Sequence, residues 1–263
     1  MTHALRSDDA PGRLVPARWV RPAAITALVA VGLLTALSVD VSHRVGPGTL
    51  DSLIGDKIIA QSASGYDLAH QIASLGGPGP VVLIAFALAA FLWYYRRYRA
   101  VVLVVVTPAV ASAITEWLLK PLVQRIFVDG PAHGVGFPSG HTTGIFSLAF
   151  AVVLITLTWR LPQRPNSMQW AISAGALLVA AAVAFSLVAA RFHYATDVLG
   201  GFLVALVTVL AAALAIDACT PRVQRLIAAR RAGSDGSGAG DQPEFGARGE
   251  QIVPGQDAHG IAQ

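Results

Sequence analysis

Residues 198–216 read VLGGFLVALVTVLAAALAI, a run of nineteen residues without Asp, Glu, Lys or Arg. About 20 such residues in a helix cross the roughly 30 Å hydrocarbon layer of a bilayer. Backbone N–H and C=O groups in lipid must be paired within their own segment, which only a helix achieves for a single span. The stretch is therefore predicted to be a transmembrane helix.

Upstream of this run lie five further apolar stretches that also lack Asp, Glu, Lys and Arg. They cover residues 23–39, 80–95, 100–112, 142–159 and 170–190. The 100–112 stretch reaches spanning length only if its helix runs on through Trp117 toward Lys120. All five tryptophans lie at the ends of stretches, where amphipathic rings favour the headgroup region. The predicted fold class is all-α, a polytopic membrane protein with a six-transmembrane-helix bundle.

The composition excludes a soluble domain. Hydrophobic residues make up 54% of the chain and charged residues 13%, whereas soluble domains carry about 25% charged residues. The net charge is +4, but the basic residues lie between apolar stretches and form no single face, so nucleic-acid binding is not predicted. The lone Cys219 excludes an internal disulfide framework and a multi-cysteine metal site.

The basic residues predict the orientation in the membrane. With six spans, fourteen of the nineteen Lys and Arg residues fall on one side and five on the other. The five are Arg44, Lys57, Lys120, Arg125 and Arg191. Because the cytoplasmic side carries the excess, both termini are predicted to be cytoplasmic, in a plasma (inner) membrane. A cleaved signal in place of the first span stays open, although no clear Ala-x-Ala site follows it.

Three regions are expected along the chain. Residues 1–22 form a cytoplasmic N-terminal segment, 23–217 the membrane domain, and 218–263 a basic tail whose last forty or so residues are expected to be disordered. Within the outer segment 50–75, apolar residues recur at helical spacing. This pattern predicts two short interfacial helices with a break at Gly65.

Polar residues collect in two outer connections. The third connection contains Phe137-Pro-Ser-Gly-His-Thr-Thr143, and the fifth contains Arg191-Phe-His-Tyr-Ala-Thr-Asp197. Lys120 and Arg125 also belong to the third. Two spans separate the connections in sequence, yet both emerge on the same face, so they are expected to meet there.

The residue types suit phosphate chemistry. Ser139 precedes an apolar helix and is a plausible N-cap, and the free N–H groups there, including that of Gly140, form an anion site. Lys120 and Arg125 supply positive charge, and an arginine can bind two phosphate oxygens at once. Glu116 lies four residues before Lys120, a spacing that suits a supporting ion pair or an ordinary interfacial one.

The two connections also supply a nucleophile and an acid. His193 and Asp197 are four residues apart, so on a helix they share a face and the carboxylate can hold one ring nitrogen. The other nitrogen is then free to attack phosphorus. His141 is positioned by its connection to protonate the leaving oxygen.

Pro138-Ser139-Gly140-His141, followed two spans later by His193-x-x-x-Asp197, resembles the type 2 phosphatidic acid phosphatase (PAP2) superfamily over roughly residues 100–216. The resemblance implies a bundle of the PAP2/haloperoxidase type that uses no metal and no cofactor. It assigns the proton donor to His141, the covalent phosphohistidine to His193 and its orientation to Asp197. It assigns phosphate binding to Lys120, Ser139 and Gly140.

Two positions depart from the family pattern. Phe127 and Val128 stand where the first motif has Arg-Pro, and Leu187 stands where the third motif has Arg. Arg125 and Arg191 are the nearby substitutes as phosphate ligands. Arg191 lies on the required face if the helix of the fifth span continues that far.

The expected function is a metal-independent phosphohydrolase that removes phosphate from a lipid phosphate or polyprenyl diphosphate at the outer membrane face. Its expected partners are membrane lipids, and the sequence gives no signal of an oligomeric state. The alternative is a catalytically impaired PAP2-fold membrane protein that binds lipid phosphate without hydrolysing it, which the displaced arginines favour. A vanadate haloperoxidase is disfavoured by the six spans, and a transporter by the absence of an ionisable residue in mid-span.

Overall fold

The computed structural model describes residues 13–59, 63–128, 134–159 and 166–236. It confirms the all-α membrane fold. The helices are α1 (Ala17–Val41), α2 (Thr49–Ile58), α3 (Ala63–Ser74), α4 (Pro78–Tyr94), α5 (Tyr98–Ala113), α6 (Lys120–Val123), α7 (Gly140–Thr158), α8 (Ser167–Ala189) and α9 (Ala195–Gly236). A π-helical segment, Ile114–Leu119, joins α5 to α6. Strands β1 (Ile126–Phe127) and β2 (Gly134–Val135) follow α6 in the chain and pair antiparallel.

Five helices in the described part of the chain are long and apolar enough to cross a membrane. They are Ala17–Val41, Tyr98–Val123, Gly140–Thr158, Ser167–Ala189 and Ala195–Thr220. Helices α3 and α4 pass the same test only as a pair, across a bend of 46°, and count as a sixth candidate if the pair is taken as one span. Five of the six predicted spans are therefore present as single helices, and the predicted second span corresponds to α4 of the bent pair. The third span runs on to Val123, as its length required.

Two predicted boundaries are wrong. Gly65 lies inside α3, and the break falls after α2, where the backbone of Ile59 becomes extended. The second wrong boundary is the start of the disordered tail. Disorder was expected from about residue 224, but α9 remains helical to Gly236. Residues 224–232 read QRLIAARRA, which is rich in strong helix formers and explains the continuation. The rest of the predicted disordered tail, 237–263, lies outside the described residues.

The bundle packs around α7, the most enclosed of the candidate spans. Helix α7 packs against α5 on one side and α8 on the other. Phe146 and Phe150 of α7 contact Phe202 of α9, with ring centroids 5.1 and 5.2 Å apart. Because α7 is fixed on three sides, its first turn is a rigid support for side chains at that end.

The segment before α1 is anchored to the far end of α9. Leu14 and Val15 are buried, and their N–H groups donate to the Asp217 carboxylate at 2.8–3.1 Å. Arg99 donates to the same carboxylate at 3.1 Å. Asp217 lies twenty residues along α9 from Asp197, about 30 Å at the helical rise. This ion-pair cluster therefore lies at the opposite end of the bundle from the histidines.

Candidate active site

The two polar connections meet at one end of the bundle, as the topology predicted. The N–H of Ser139 donates to the carbonyl oxygen of Asp197 at 3.0 Å. A Cβ on Gly201 of α9 would lie 2.6 Å from the Ser139 carbonyl oxygen, and one on Gly200 would lie 2.5 Å from the Phe137 ring. Glycine at these two positions therefore allows the start of α7 to lie directly against α9.

Ser139 caps α7, as predicted. Its hydroxyl oxygen accepts from the Thr142 N–H at 3.4 Å and from the Thr142 hydroxyl at 3.1 Å. The Ser139 side chain is buried, whereas Gly140 and His141 face a cavity. The first N–H groups of a helix have no acceptor within it, and they carry the positive end of the helix dipole. The start of α7 is thus electrostatically suited to an anion.

A cavity of about 510 Å³ brings four of the eight predicted site residues together. Lys120, Gly140, His141 and His193 all line it, as does Glu116. Its other walls come from the loops and from three spans. They include Phe127, Gly134, Val135, Gly136 and Phe192 of the loops, and Val81, Ser112 and Gly144 of α4, α5 and α7. The cavity therefore extends from the polar loops in between the membrane helices.

His193 lies beside Asp197 but just before α9, so the pair brackets the helix start. The Nδ1 of His193 is 3.6 Å from Oδ2 of Asp197, which is longer than a hydrogen bond. This Nδ1 is buried without a hydrogen-bond partner among the described residues. Asp197 Oδ2 accepts the N–H of Tyr194 at 3.1 Å. The two side chains are therefore adjacent, but no hydrogen bond joins them in this structure.

Lys120 forms the ion pair with Glu116 that their spacing predicted. Its Nζ lies 2.7 and 2.8 Å from the two carboxylate oxygens of Glu116. The π-helical segment positions Glu116, since the hydroxyl of the adjacent Thr115 donates to Thr143 of α7 at 3.2 Å. A Cβ on Gly140 would lie 2.9 Å from Oε1 of Glu116. The carboxylate therefore lies over the first turn of α7, where an anion would bind.

Arg125 has different surroundings from those expected of a phosphate ligand. Its side chain is fully buried outside the cavity, and Nη1 donates to Asp197 Oδ1 at 2.6 Å and to the Thr196 hydroxyl. Nη2 donates to Asp51 of α2, and the guanidinium lies 4.5 Å above the Tyr194 ring. In this arrangement Arg125 binds two carboxylates of the protein.

Asp51 is the residue that sequence analysis missed. It is buried, and its Oδ1 accepts the N–H and the hydroxyl of Thr196 at 2.9 and 2.8 Å. The sequence did contain a signal for it. Asp51 lies three residues before Ile54 and seven before Ile58, so on a helix it shares their apolar face. A carboxylate on the apolar face of a short helix needs a buried partner.

Arg191 also lies outside the first cavity. Helix α8 ends at Ala189, and Arg191 has a φ of 57° in the left-handed region. The N–H of Arg191 donates to Val188 and that of Phe192 to Leu187, a Schellman ending in which glycine is usual. The helix therefore does not continue to Arg191, and the condition for its predicted position fails. Arg191 instead lines a second cavity of about 240 Å³ that also borders His193 and Asp51.

Two histidines, a lysine and a helix N-terminus thus surround one cavity in a bundle of apolar helices, an arrangement that suits a membrane phosphatase. The chain belongs to the PAP2 superfamily, whose family model matches residues 23–221. This match confirms the resemblance drawn from the Pro-Ser-Gly-His and His-x-x-x-Asp motifs.

Two solved structures are similar to the chain. One is a transmembrane PAP2 type phosphatidylglycerolphosphate phosphatase from Bacillus subtilis. It is 19% identical, with a TM-score of 0.58, and the match covers 71% of this chain and 94% of that one. The other is Aquifex aeolicus LpxE, at 20% identity and a TM-score of 0.39, covering 62% of this chain and 92% of that one. No curated protein matches the sequence significantly.

Proposed function

We propose that this protein removes phosphate from a lipid phosphate monoester or a polyprenyl diphosphate at the outer membrane face, through a phosphohistidine on His193. The observation that carries the proposal is the shared cavity of Lys120, His141 and His193 at the start of α7. It joins a cation, an acid–base group and a nucleophile around one space, which are the groups that metal-free phosphoryl transfer requires.

Phosphate binding is assigned to the lysine and the helix start. Lys120 attracts the phosphate as a point charge, and the N–H groups at Gly140 and His141 bind its oxygens. Ser139 contributes indirectly, since its buried hydroxyl caps α7 and fixes the first turn. Arg125 and Arg191 lie outside the cavity, so we assign neither to the phosphate.

Two displacements make up the reaction. In the first, Nδ1 of His193 moves into hydrogen-bond distance of Asp197, and Nε2 attacks phosphorus. The bond to the leaving oxygen breaks while His141 donates a proton to that oxygen. Water then transfers a proton to His141 and attacks the phosphohistidine. The P–N bond breaks, inorganic phosphate leaves, and both histidines return to their starting states.

The shape of the cavity favours an amphiphilic substrate. Its walls include Val81, Ser112 and Gly144, which belong to helices at the membrane end of the space. A headgroup can reach Lys120 and the histidines while its tail remains among the spans. The similar Bacillus subtilis protein acts on phosphatidylglycerolphosphate, a substrate of this chemical type.

The outer face is proposed from the basic residues. Lys120 and Arg125 are two of only five Lys and Arg residues on the side that holds the site, against fourteen on the other. The side with the excess is cytoplasmic by the positive-inside rule.

The test is phosphate release by purified protein from a panel of lipid phosphates and polyprenyl diphosphates, with and without a chelator. We expect release from at least one substrate, unchanged by chelation. His193→Ala should reduce it at least a thousandfold. His43→Asn is the matched control, because His43 is exposed outside the cavity and has a φ of 55° that Asn tolerates.

Each part of the proposal has its own contrary result. Absence of release from every substrate contradicts the assignment of hydrolysis. Loss of activity on chelation contradicts the metal-free mechanism. Equal activity of His193→Ala and His43→Asn contradicts the nucleophile.

A further inference from the structure

Asp51 links a helix outside the catalytic motifs to the residues behind His193. Its Oδ2 accepts the N–H of Gly48 at 2.9 Å and a hydrogen bond from Arg125, and its Oδ1 accepts two from Thr196. The side chains of Asp51, Arg125 and Asp197 are no more than 1% exposed. Three charges are therefore buried in one cluster behind the nucleophile.

The carboxyl group of Asp51 is ionised in this cluster. Burial alone would raise the pKa of Asp51, but the N–H groups of Gly48 and Thr196 and the Arg125 guanidinium outweigh it and lower that pKa below its ordinary value.

The net charge of the cluster formed by Asp51, Arg125 and Asp197 affects the reactivity of His193. Asp197 and Arg125 alone would form a neutral pair. Nη1 of Arg125 binds Oδ1 of Asp197 at 2.6 Å, and Oδ2 of Asp197 is the oxygen that lies beside His193. Asp51 accepts from Nη2 of the same guanidinium and brings the formal net charge of the cluster to −1. That net charge favours the positive charge that the imidazole acquires as it bonds to phosphorus.

We propose that Asp51 is a positioning residue for this phosphatase, and that it acts through Arg125 to fix Asp197 in place and to keep the cluster anionic behind His193. The inference rests on the proposed function, because it assumes that His193 is the nucleophile. It makes α2, which carries none of the family motifs, part of the catalytic apparatus.

The test compares kcat and KM of purified Asp51→Asn with those of the wild type on the best substrate of the panel. The amide keeps the shape of the side chain and removes its charge. We expect kcat to fall about tenfold to a hundredfold, the effect of losing one nearby charge in a buried site. KM should change less than about threefold, because Lys120 and the start of α7 are untouched.

A double variant separates charge from structure. Asp51→Asn with Arg125→Gln removes one charge of each sign and restores a net −1 on Asp197 alone. We expect kcat to recover about tenfold relative to Asp51→Asn. A purely structural role predicts the reverse, since the double variant lacks more of the buried bonds. Asp67→Asn, an exposed carboxylate on α3, is the matched control and should equal the wild type.

Unaltered kcat in folded Asp51→Asn, a larger effect on KM than on kcat, or no recovery in the double variant would each overturn the proposal. Folding is checked by thermal unfolding in detergent. If Asp51→Asn alone does not fold, the double variant decides, with a kcat within about tenfold of wild type expected and a larger loss contradicting. An inactive wild type refutes the proposed function, whereas an active wild type with normal Asp51→Asn refutes this inference only.

Discussion

Lys120 and Arg125 belong to one connection, yet their surroundings give them different roles. The Lys120 side chain is 22% exposed and paired with Glu116, whose side chain is 46% exposed. Arg125 is wholly buried between Asp51 and Asp197. An ion pair near the surface is weak and can be exchanged for a substrate, whereas a buried one is costly to break. Lys120 is therefore the cation that can reach a phosphate.

Removing the Glu116 charge should strengthen phosphate binding. Glu116 holds Lys120 and lies over the start of α7, so it competes with a substrate for both. We expect Glu116→Gln to lower KM about threefold to tenfold, which corresponds to the weak energy of an exposed pair. The measurement is initial rate against substrate concentration in mixed micelles.

Asp67→Asn serves again as the control for this substitution, because Asp67 is exposed on α3 outside the cavity. An unchanged or raised KM in Glu116→Gln would show that the carboxylate assists binding and does not oppose it.

For single residues, the sequence predicted the contacts between side chains that are close together in the chain. The Ser139 cap and the Glu116–Lys120 pair depend on residues three or four apart, and both are observed. The partners of Arg125 are 72 and 74 residues away in the chain. No local pattern indicates such bonds, so the sequence placed Arg125 on the phosphate and overlooked Asp51.

The active site depends on close packing of α7 against α9 and against the π-helical segment that follows α5. Gly201 of α9 lies against the carbonyl oxygen of Ser139, and Thr115 of the π-helical segment contacts Thr143 of α7. A π turn rotates the residues that follow it about the helix axis, and such turns are often found at functional sites. Helices α7 and α9 and the end of α5 are thereby held in one arrangement around the cavity.

Alanine at position 201 should damage both stability and activity. Its Cβ would lie 2.6 Å from a backbone oxygen and 2.9 Å from Thr142 Cβ, so α7 and α9 must separate. We expect Gly201→Ala to lower the free energy of unfolding by about 1–3 kcal/mol and to reduce kcat. Thermal unfolding in detergent and phosphate release measure the two effects.

Gly175→Ala is the matched control, because Gly175 lies inside α8 with no atom within 4 Å of an added Cβ. Alanine is the better helix former, so this variant should be as stable as the wild type or more so. If the two variants behave alike, close packing at Gly201 does not hold the site together.

The apolar stretches predicted the five candidate spans that the structure describes, and α4 of the bent pair, but not every boundary. Spans are predictable because lipid imposes a length and a composition on each one. The bend between α3 and α4 and the end of α8 depend on tertiary contacts. Gly76, at the bend, lies against Val183 of α8 and His141 of α7, which are more than 60 residues away in the chain.

The molecule as a whole is polarised along the bundle axis. One end carries the cavity, and the other carries the buried Asp217 that binds Arg99 and the backbone at Leu14 and Val15. The lone cysteine, Cys219, is exposed close to that second end. This arrangement allows the orientation in the membrane to be measured directly.

Thiol labelling should place the two ends in different compartments. In intact cells we expect a membrane-impermeant maleimide to leave Cys219 unlabelled, since it lies on the predicted cytoplasmic side. Asp67→Cys in a Cys219→Ala background should be labelled, because residue 67 is exposed near the cavity end. Labelling of Cys219 without permeabilisation would reverse the proposed orientation.

The central claim is that His193 carries the phosphoryl group during turnover. The most direct measurement is an alkaline quench of protein mixed with radiolabelled substrate, followed by mass spectrometry, since phosphohistidine survives base and is lost in acid. We expect the label on Nε2 of His193, absent in His193→Ala and present in His43→Asn. Phosphate release without any labelled protein intermediate, or a label on another residue, would contradict the account.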